Sequence, residues 1–258
     1  MKMPLVWVVS VVVLFVVGCT TEGNSIDIDS GEPYYPLVEG HWLEYQLDSI
    51  VFDDFDNSVD TTRLDVRLVI GEQIPDGEES TINRIYRYHK PRGMGEYTLQ
   101  GVWFAKVEGR VVEVVEENLR FIKLALPPIE ESIWDGNQFI LPDGGENPLH
   151  STEFYQDWEY YYKAVGVSET INGLMFDNVI KVNEINRPGP PGDIHHFVGE
   201  SWYAHGVGLI KKRWEMVTEN CGNTETDPMC QYKTLPVIER PFLRKGFIVD
   251  WTITGYGN

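Results

Sequence analysis

The fold is decided by the stretch WEYYYKAVGVSETINGLMFDNVIKVNEI, residues 158–185. Two runs rich in aromatic and β-branched residues flank the dipeptide Asn172-Gly173 near its middle. Asn and Gly both adopt positive φ readily, which is what a two-residue hairpin turn requires. The stretch therefore predicts two antiparallel strands joined by a tight turn.

The same pattern continues on both sides of this hairpin. Leu43, Tyr45 and Leu47 alternate with polar residues, and a second alternation runs from Arg63 to Ile70. The turn-rich stretch DDFDNSVD, residues 53–60, lies between them, so these two runs predict another antiparallel hairpin. Further strands are predicted in INRIYRYH (82–89), GVWFAKVEGRVVEVVEE (101–117), GESWYAHGVGLIKKRWEMV (199–217) and GFIVDWTITG (246–255).

About ten to twelve strands emerge, and helical periodicity is poor throughout. The best candidate for a short helix is NPLHSTEFYQDW, residues 147–158, and the Pro/Gly-rich stretches 127–128, 142–148 and 188–192 read as loops. We predict a mainly β fold, with one large antiparallel sheet that forms a curved half-barrel or a sandwich and few short helices. A single domain over 33–258 is preferred to a division near 142–148.

The first 19 residues have the composition of an export leader. Lys2 precedes an apolar run from Pro4 to Gly18 that contains no charged residue and is too short to span a membrane of ~30 Å comfortably. The run ends in Val16-Val17-Gly18-Cys19, which resembles the lipobox of bacterial lipoproteins. That resemblance implies a signal peptide over 1–18 and a lipid on Cys19; the alternative is an ordinary signal or anchor helix with an incidental cysteine.

The residues after Cys19 suggest where the lipid anchor resides. Residues 19–32 are small, polar and acidic, and we expect them to form a flexible tether. Thr20 stands where lipoproteins retained at the inner membrane carry Asp, so the resemblance implies anchoring in the outer membrane, on a face that the sequence does not specify.

Charge excludes one class of partner. The chain has 21 basic and 40 acidic residues, and removing 1–18 removes only Lys2, which leaves 20 against 40, or −20. Such a surface repels nucleic acid and anionic head groups, so no nucleic-acid partner is expected.

Cys221 and Cys230 flank the polar loop CGNTETDPMC. In an oxidising compartment they predict a disulfide bridge. A metal or redox pair is the alternative, but the spacing is not CxxC and no histidine lies nearby.

Metal ligands are sought first in the acidic loop, where Asp54, Asp56, Ser58 and Asp60 fall at alternate positions. Oxygen ligands at this spacing suit calcium. However, Val59 stands where an EF-hand loop needs Gly, so a solvated acidic hairpin tip is preferred. A second candidate is a zinc site formed by His195 or His196 together with His205. The alternative is that these histidines are exposed in loops. No cofactor is predicted.

No catalytic residue is predicted. Ser201 follows Gly199-Glu200, but Tyr203 replaces the second Gly of the nucleophile elbow G-x-S-x-G. Gly206-Val207-Gly208 reads as a hairpin turn and not as a nucleotide loop. The aromatic residues of WEYYYK, 158–163, could line a cavity, although sheet packing is the commoner use.

Two segments resemble uncharacterised envelope lipoproteins of Bacteroidota: YYPLVEGHWLEYQLDSIVFDDF (34–55) and ESWYAHGVGLIKKRWE (200–215). Some such proteins resemble lipoprotein carriers, whose curved sheet encloses an apolar hollow. The two segments are silent on activity, and the carrier-like fold implies binding of a lipid or a lipoprotein. We predict a non-enzymatic protein that binds an apolar ligand, a lipid or a lipidated protein, or another envelope protein. The alternatives are a structural module of a surface assembly and a glycan-active or other hydrolase.

Overall fold

The fold was analysed in a computed structural model, which describes residues 32–53, 55–56, 58–77, 79–142, 152–187, 195–219, 239 and 243–258. The chain forms 12 strands: β1 (Trp42–Phe52), β2 (Val59–Pro75), β3 (Thr81–Pro91), β4 (Thr98–Glu108), β5 (Val111–Glu116), β6 (Leu119–Ala125), β7 (Ile133–Trp134), β8 (Tyr160–Ile171), β9 (Leu174–Arg187), β10 (His195–Ala204), β11 (Gly208–Glu219) and β12 (Leu243–Gly257). Two single-turn 3-10 helices, Glu32–Tyr34 and Thr152–Tyr155, are the helical elements of the described residues.

All 12 strands belong to one antiparallel sheet in the order β6-β5-β4-β3-β2-β1-β12-β11-β10-β9-β8-β7. The first six strands form one meander and the last six another, and β12 returns to pair with β1 along its length. The predicted fold class is confirmed, in the form of a nearly closed barrel and not a sandwich.

The two edges of the sheet meet in a short seam. The Ile122 amide donates to the Gly136 carbonyl at 2.8 Å, and the Trp134 Nε1–H donates to the Ile122 carbonyl at 3.0 Å. The Tyr162 hydroxyl donates to the Ala125 carbonyl at 2.7 Å. These bonds satisfy part of the edge of β6 and close the sheet into a barrel.

The core fills much of the barrel. Alternate residues of each strand point inward and are almost fully buried, among them Tyr45, Val66, Ile85, Val114, Tyr162, Ile180, Ile210 and Ile253. A small second cluster of Phe52, Val217 and Ile248 lies on the outer face.

One end of the barrel is covered by the segment that precedes β1. Tyr34 is buried, and the Gly206 amide donates to the Pro33 carbonyl at 2.9 Å. His41 Nε2 donates to the Val207 carbonyl at 2.9 Å. Within the described residues, the interior is therefore accessible mainly from the other end, where β12 begins.

The predicted hairpins are present. Asn172 and Gly173 have φ of 49° and 77° and form the β8–β9 turn. The β5–β6 turn was missed, because Glu117 and Asn118 adopt φ of 48° and 66° without a glycine. The candidate helix at 147–158 is partly outside the described residues, and its described part contains only the 3-10 turn Thr152–Tyr155.

No helix of the described residues combines the length and the apolar character needed to cross a membrane. The predicted leader, the tether up to Gly31, and Cys19, Cys221 and Cys230 lie outside the described residues. The domain boundaries, the lipidation and the disulfide stay predictions.

Candidate ligand site inside the barrel

A cavity of about 190 Å³ opens at the uncovered end of the barrel. Its wall is mostly aromatic and comes from the inner faces of β4, β6, β11 and β12 and from the 3-10 turn, with Trp103, Phe121, Tyr155, Trp214, Phe247 and Trp251. Arg87, Glu116, Glu117 and Lys212 supply charge to the same wall. We call this space the mouth cavity.

A smaller space of about 30 Å³ lies deeper in the barrel. Trp103 and Glu116 line both spaces, so the two are neighbours along the barrel axis. The deeper one is lined by Lys123 and by the tyrosines Tyr35, Tyr45 and Tyr203. It has room for only a few water molecules, so a ligand of any size would occupy the mouth cavity.

Two charged residues of the interior lie at β-bulges. Val112 pairs with Leu124 and Glu113 pairs with Ile122, so Lys123 is an extra residue on β6. Likewise Gly199 pairs with Ile185 and Glu200 with Asn183, which makes Glu184 the extra residue on β9. Both side chains point inward by alternation with the residue two positions earlier, and each bulge brings the following residue, Leu124 or Ile185, to the same face.

Lys123, Glu116 and Lys212 form a buried ion cluster. Both ammonium groups contact Glu116 Oε2, Lys123 at 3.2 Å and Lys212 at 3.5 Å. Burial would raise the pKa of the Glu116 carboxyl, but the two lysines outweigh it and hold this pKa at about 2. Burial lowers the pKa of Lys123, and Glu116 opposes that shift.

Glu184 is buried beside this cluster. It accepts a hydrogen bond from the Ser201 hydroxyl and another from Trp214 Nε1 at 2.7 Å. Ser201 is therefore a donor to a buried carboxylate, and only 1% of it is exposed.

Arg87 lies at the rim of the mouth cavity on β3. Its Nη1 contacts the Glu117 carboxylate at 2.5 Å, and its guanidinium lies 4.8 Å from the Trp103 ring centre. Its Nε is buried and has no hydrogen-bond acceptor among the described residues. His89 Nε2, two residues along on the same face, is likewise buried without a partner.

The predicted calcium ligands belong to the β1–β2 loop and to the start of β2. The described acids of the β1–β2 loop bond the loop's own amides: Asp53 accepts from the Phe55 amide at 2.8 Å, and Asp56 from the Ser58 amide at 2.9 Å. Asp54 lies outside the described residues, and Asp60 is an exposed residue of β2. The calcium interpretation of Asp54, Asp56, Ser58 and Asp60 stays a prediction.

The histidines are not brought together. His195 and His205 lie at opposite ends of β10, while His196 bonds Glu215 at 3.0 Å. His41 and His196 are buried, which corrects the expectation of exposed loop histidines for these two. Within the described ranges no group of three or more His, Cys, Asp or Glu residues could hold a metal ion.

The interior charges were missed because strand alternation normally assigns polar residues to the solvent face. The signal was available: Val112, Val114 and Glu116 share a face by period two, so continuing the pattern places Glu116 inside. The same period places Lys123 with Phe121 and Glu184 with Val182, whereas the bulges at these residues cannot be located from alternation alone.

No protein-family model matches the chain, and no curated protein matches it in sequence. Among solved structures, the chain is similar to a predicted exported protein with a YmcC-like fold from Bacteroides fragilis. The two share 9% identity with a TM-score of 0.40, over 87% of this chain and 98% of the other.

Proposed function

We propose that this protein binds a small, largely apolar ligand in the mouth cavity and does not convert it chemically. The observation that carries this proposal is the aromatic wall of Trp103, Trp214, Phe247 and Trp251 around about 190 Å³ of open space. A barrel interior is normally filled by its own side chains, so residual apolar space at an open end favours a ligand.

The volume limits what can bind. A cavity of roughly 150 Å³ accommodates benzene, so the mouth cavity suits a molecule of roughly eight to ten non-hydrogen atoms. A complete lipid is too large for it. A lipid or lipidated partner could place only a chain end in the cavity.

The test is calorimetric titration with a neutral amphiphile, octanamide. Burying its chain at ~0.8 kcal/mol per methylene should give a dissociation constant below about 1 mM. Val249 lines the cavity, and Val249→Phe should abolish the binding by filling the space. Thr254→Phe is the matched control, because Thr254 is exposed on the same strand. Equal binding by the two variants would refute the site.

We also propose that Cys19 carries the lipid and that the protein is anchored in the outer membrane. The lipobox-like Val16-Val17-Gly18-Cys19 supports this. Detergent phase partitioning of the full chain tests it: the native protein should enter the detergent phase, and Cys19→Ser should stay in the aqueous phase. Equal partitioning would contradict lipidation.

A further inference from the structure

We propose that the ligand of the mouth cavity carries a single negative charge, as an amphiphilic carboxylate does, and that Arg87 and Lys212 bind its head group while its apolar part packs on the aromatic wall. This inference rests on the proposed function and names the class of ligand. Both cations line the mouth cavity, together with the ring systems of Trp103, Trp214 and Trp251.

The charges of the interior point to an anion that can replace Glu117. Three cations face the interior: Arg87 from β3, Lys123 from β6 and Lys212 from β11, with side chains 17%, 3% and 13% exposed. Two carboxylates face it from deeper positions, Glu116 and Glu184, and a third, Glu117, pairs with Arg87 at the rim with 65% of its side chain exposed. The cations of the barrel are therefore balanced only while Glu117 stays paired with Arg87.

Glu184 contributes little to the balance of charge at the mouth. Its two oxygens accept from the neutral donors Ser201 and Trp214, and it forms no ion pair with a cavity lysine. Glu116 alone is shared by Lys123 and Lys212. His89 adds no charge at neutral pH, because burial and the neighbouring Arg87 lower its pKa.

The cations of the interior have donor capacity that the protein does not use. Lys123 donates to Glu116 alone among the described residues, although an ammonium has three N–H groups. Arg87 Nε is buried without an acceptor in the described part of the chain. A buried donor left without a partner is destabilising, so an anion able to accept from the Arg87 guanidinium would relieve that cost.

Arg87 already binds a carboxylate, that of Glu117 at the rim of the mouth cavity. Glu117 pairs with Arg87 and accepts a weak bond from Trp103 Nε1 at 3.3 Å. Its side chain is 65% exposed, and its backbone has φ of 48°, which a non-glycine residue adopts at a cost. A ligand carboxylate can replace the Glu117 carboxylate, and Arg87 then still has a carboxylate as its partner.

The test compares octanoate with octanamide, which have the same size and differ in charge. We expect octanoate to bind about tenfold more tightly, because a hydrogen bond to a charged group is the stronger kind. Acetate should bind far more weakly than octanoate, since it lacks the apolar chain. Inorganic phosphate should not compete, for the same reason.

Charge variants locate the head group. Lys212→Met and Arg87→Met should each bring the octanoate-to-octanamide affinity ratio close to one. Lys211→Met is the matched control: Lys211 is the outward neighbour of Lys212 and also lies against a tryptophan, 4.8 Å from the Trp202 ring. It should leave the ratio unchanged.

A gain of affinity provides a test that misfolding cannot imitate. Glu117→Gln should raise octanoate affinity several-fold, because it removes the carboxylate that competes for Arg87. Glu108→Gln is its control, since Glu108 pairs with Lys106 on the outer face.

The outcomes separate the two proposals. Equal affinity for octanoate and octanamide would overturn the anionic head group and leave the apolar site intact. Binding of neither would overturn both. Phosphate or acetate binding as tight as octanoate would show a simple anion site and contradict the amphiphile.

Discussion

Lys123 shows how a buried charge can follow from the ordinary alternation of a strand. It lies two residues after Phe121, whose ring lines the mouth cavity, so both side chains point inward. The ammonium lies at 3.2 Å from Glu116 and 4.1 Å from the Phe121 ring. The bulge opposite Val112 and Glu113 then brings Leu124 to the same inner face.

Removing Lys123 should be costly, because it takes away one of the two cations that balance the buried Glu116. We expect Lys123→Met to lower the free energy of unfolding by about 3 kcal/mol in urea titrations. Lys163→Met should cost less than about 1 kcal/mol, since Lys163 pairs with Glu200 on the exposed face. Equal losses would contradict the buried ion cluster.

Glu215 makes a pH-dependent contribution to the free energy of unfolding. Hydrogen bonds from His196 and then Arg213 hold the pKa of its carboxyl at about 2, below the usual 4.5. A lowered pKa stabilises the fold above pH 4.5, and this contribution is lost as the pH falls towards 2. Because the carboxyl is partly solvated, we expect Glu215→Gln to cost about 2 kcal/mol at pH 7.

The check is urea unfolding of both proteins from pH 7 to pH 2. The difference between the native protein and Glu215→Gln should be constant above pH 5 and shrink between pH 4.5 and 2. A difference that stays constant over the whole range would show that the carboxylate charge is not involved.

At the scale of the elements, the least regular part of the sheet is the seam between β6 and β7. Strand β7 has only two residues, and the bonds across the seam come from the Ile122 amide and from the Trp134 and Tyr162 side chains. Gly136 approaches so closely that a Cβ there would meet the Tyr160 ring at 2.5 Å. Closure therefore depends on a position without a side chain.

Gly136→Ala should open or strain the seam. We expect a loss of about 2 kcal/mol and faster hydrogen exchange of the Ile122 amide, which donates to Gly136. Gly101→Ala is the control: it also lacks positive φ, and its Cβ would meet only the end of Arg87 at 3.6 Å. Comparable effects of both substitutions would contradict a glycine-dependent seam.

The elements themselves were largely predictable, and the reason is physical. Period-two alternation and the Asn172-Gly173 turn are local properties of the chain, and they gave the β8–β9 hairpin and the inward face of β12. The turn at Glu117-Asn118 was not predictable, because its positive φ is imposed by the flanking strands. Register shifts depend on pairing between strands, so the bulges at Lys123 and Glu184 were beyond prediction, although alternation with Phe121 and Val182 places both side chains inward.

At the scale of the whole molecule, the return of β12 to β1 joins two six-stranded meanders into one barrel. Within the described residues, the covered end at Pro33–His41 leaves the other end as the way in, and that end has the aromatic wall. Arg87 and Lys212 lie at that end, in a chain with 21 basic and 40 acidic residues. The acidic surface should keep the protein dispersed, and we propose that the two cations select an anionic ligand once Glu117 is displaced.

The central claim is that the ligand binds inside the barrel, and fluorine NMR tests it most directly. The native sequence, labelled with 5-fluorotryptophan, would be titrated with octanoate and each resonance assigned by a Trp→Phe variant. We expect Trp103, Trp214 and Trp251 to shift. The outer-face residues Trp42 and Trp202, which stack with Arg67 and Lys181, should not shift. Shifts confined to Trp42 or Trp202, or no shift at all, would contradict the account.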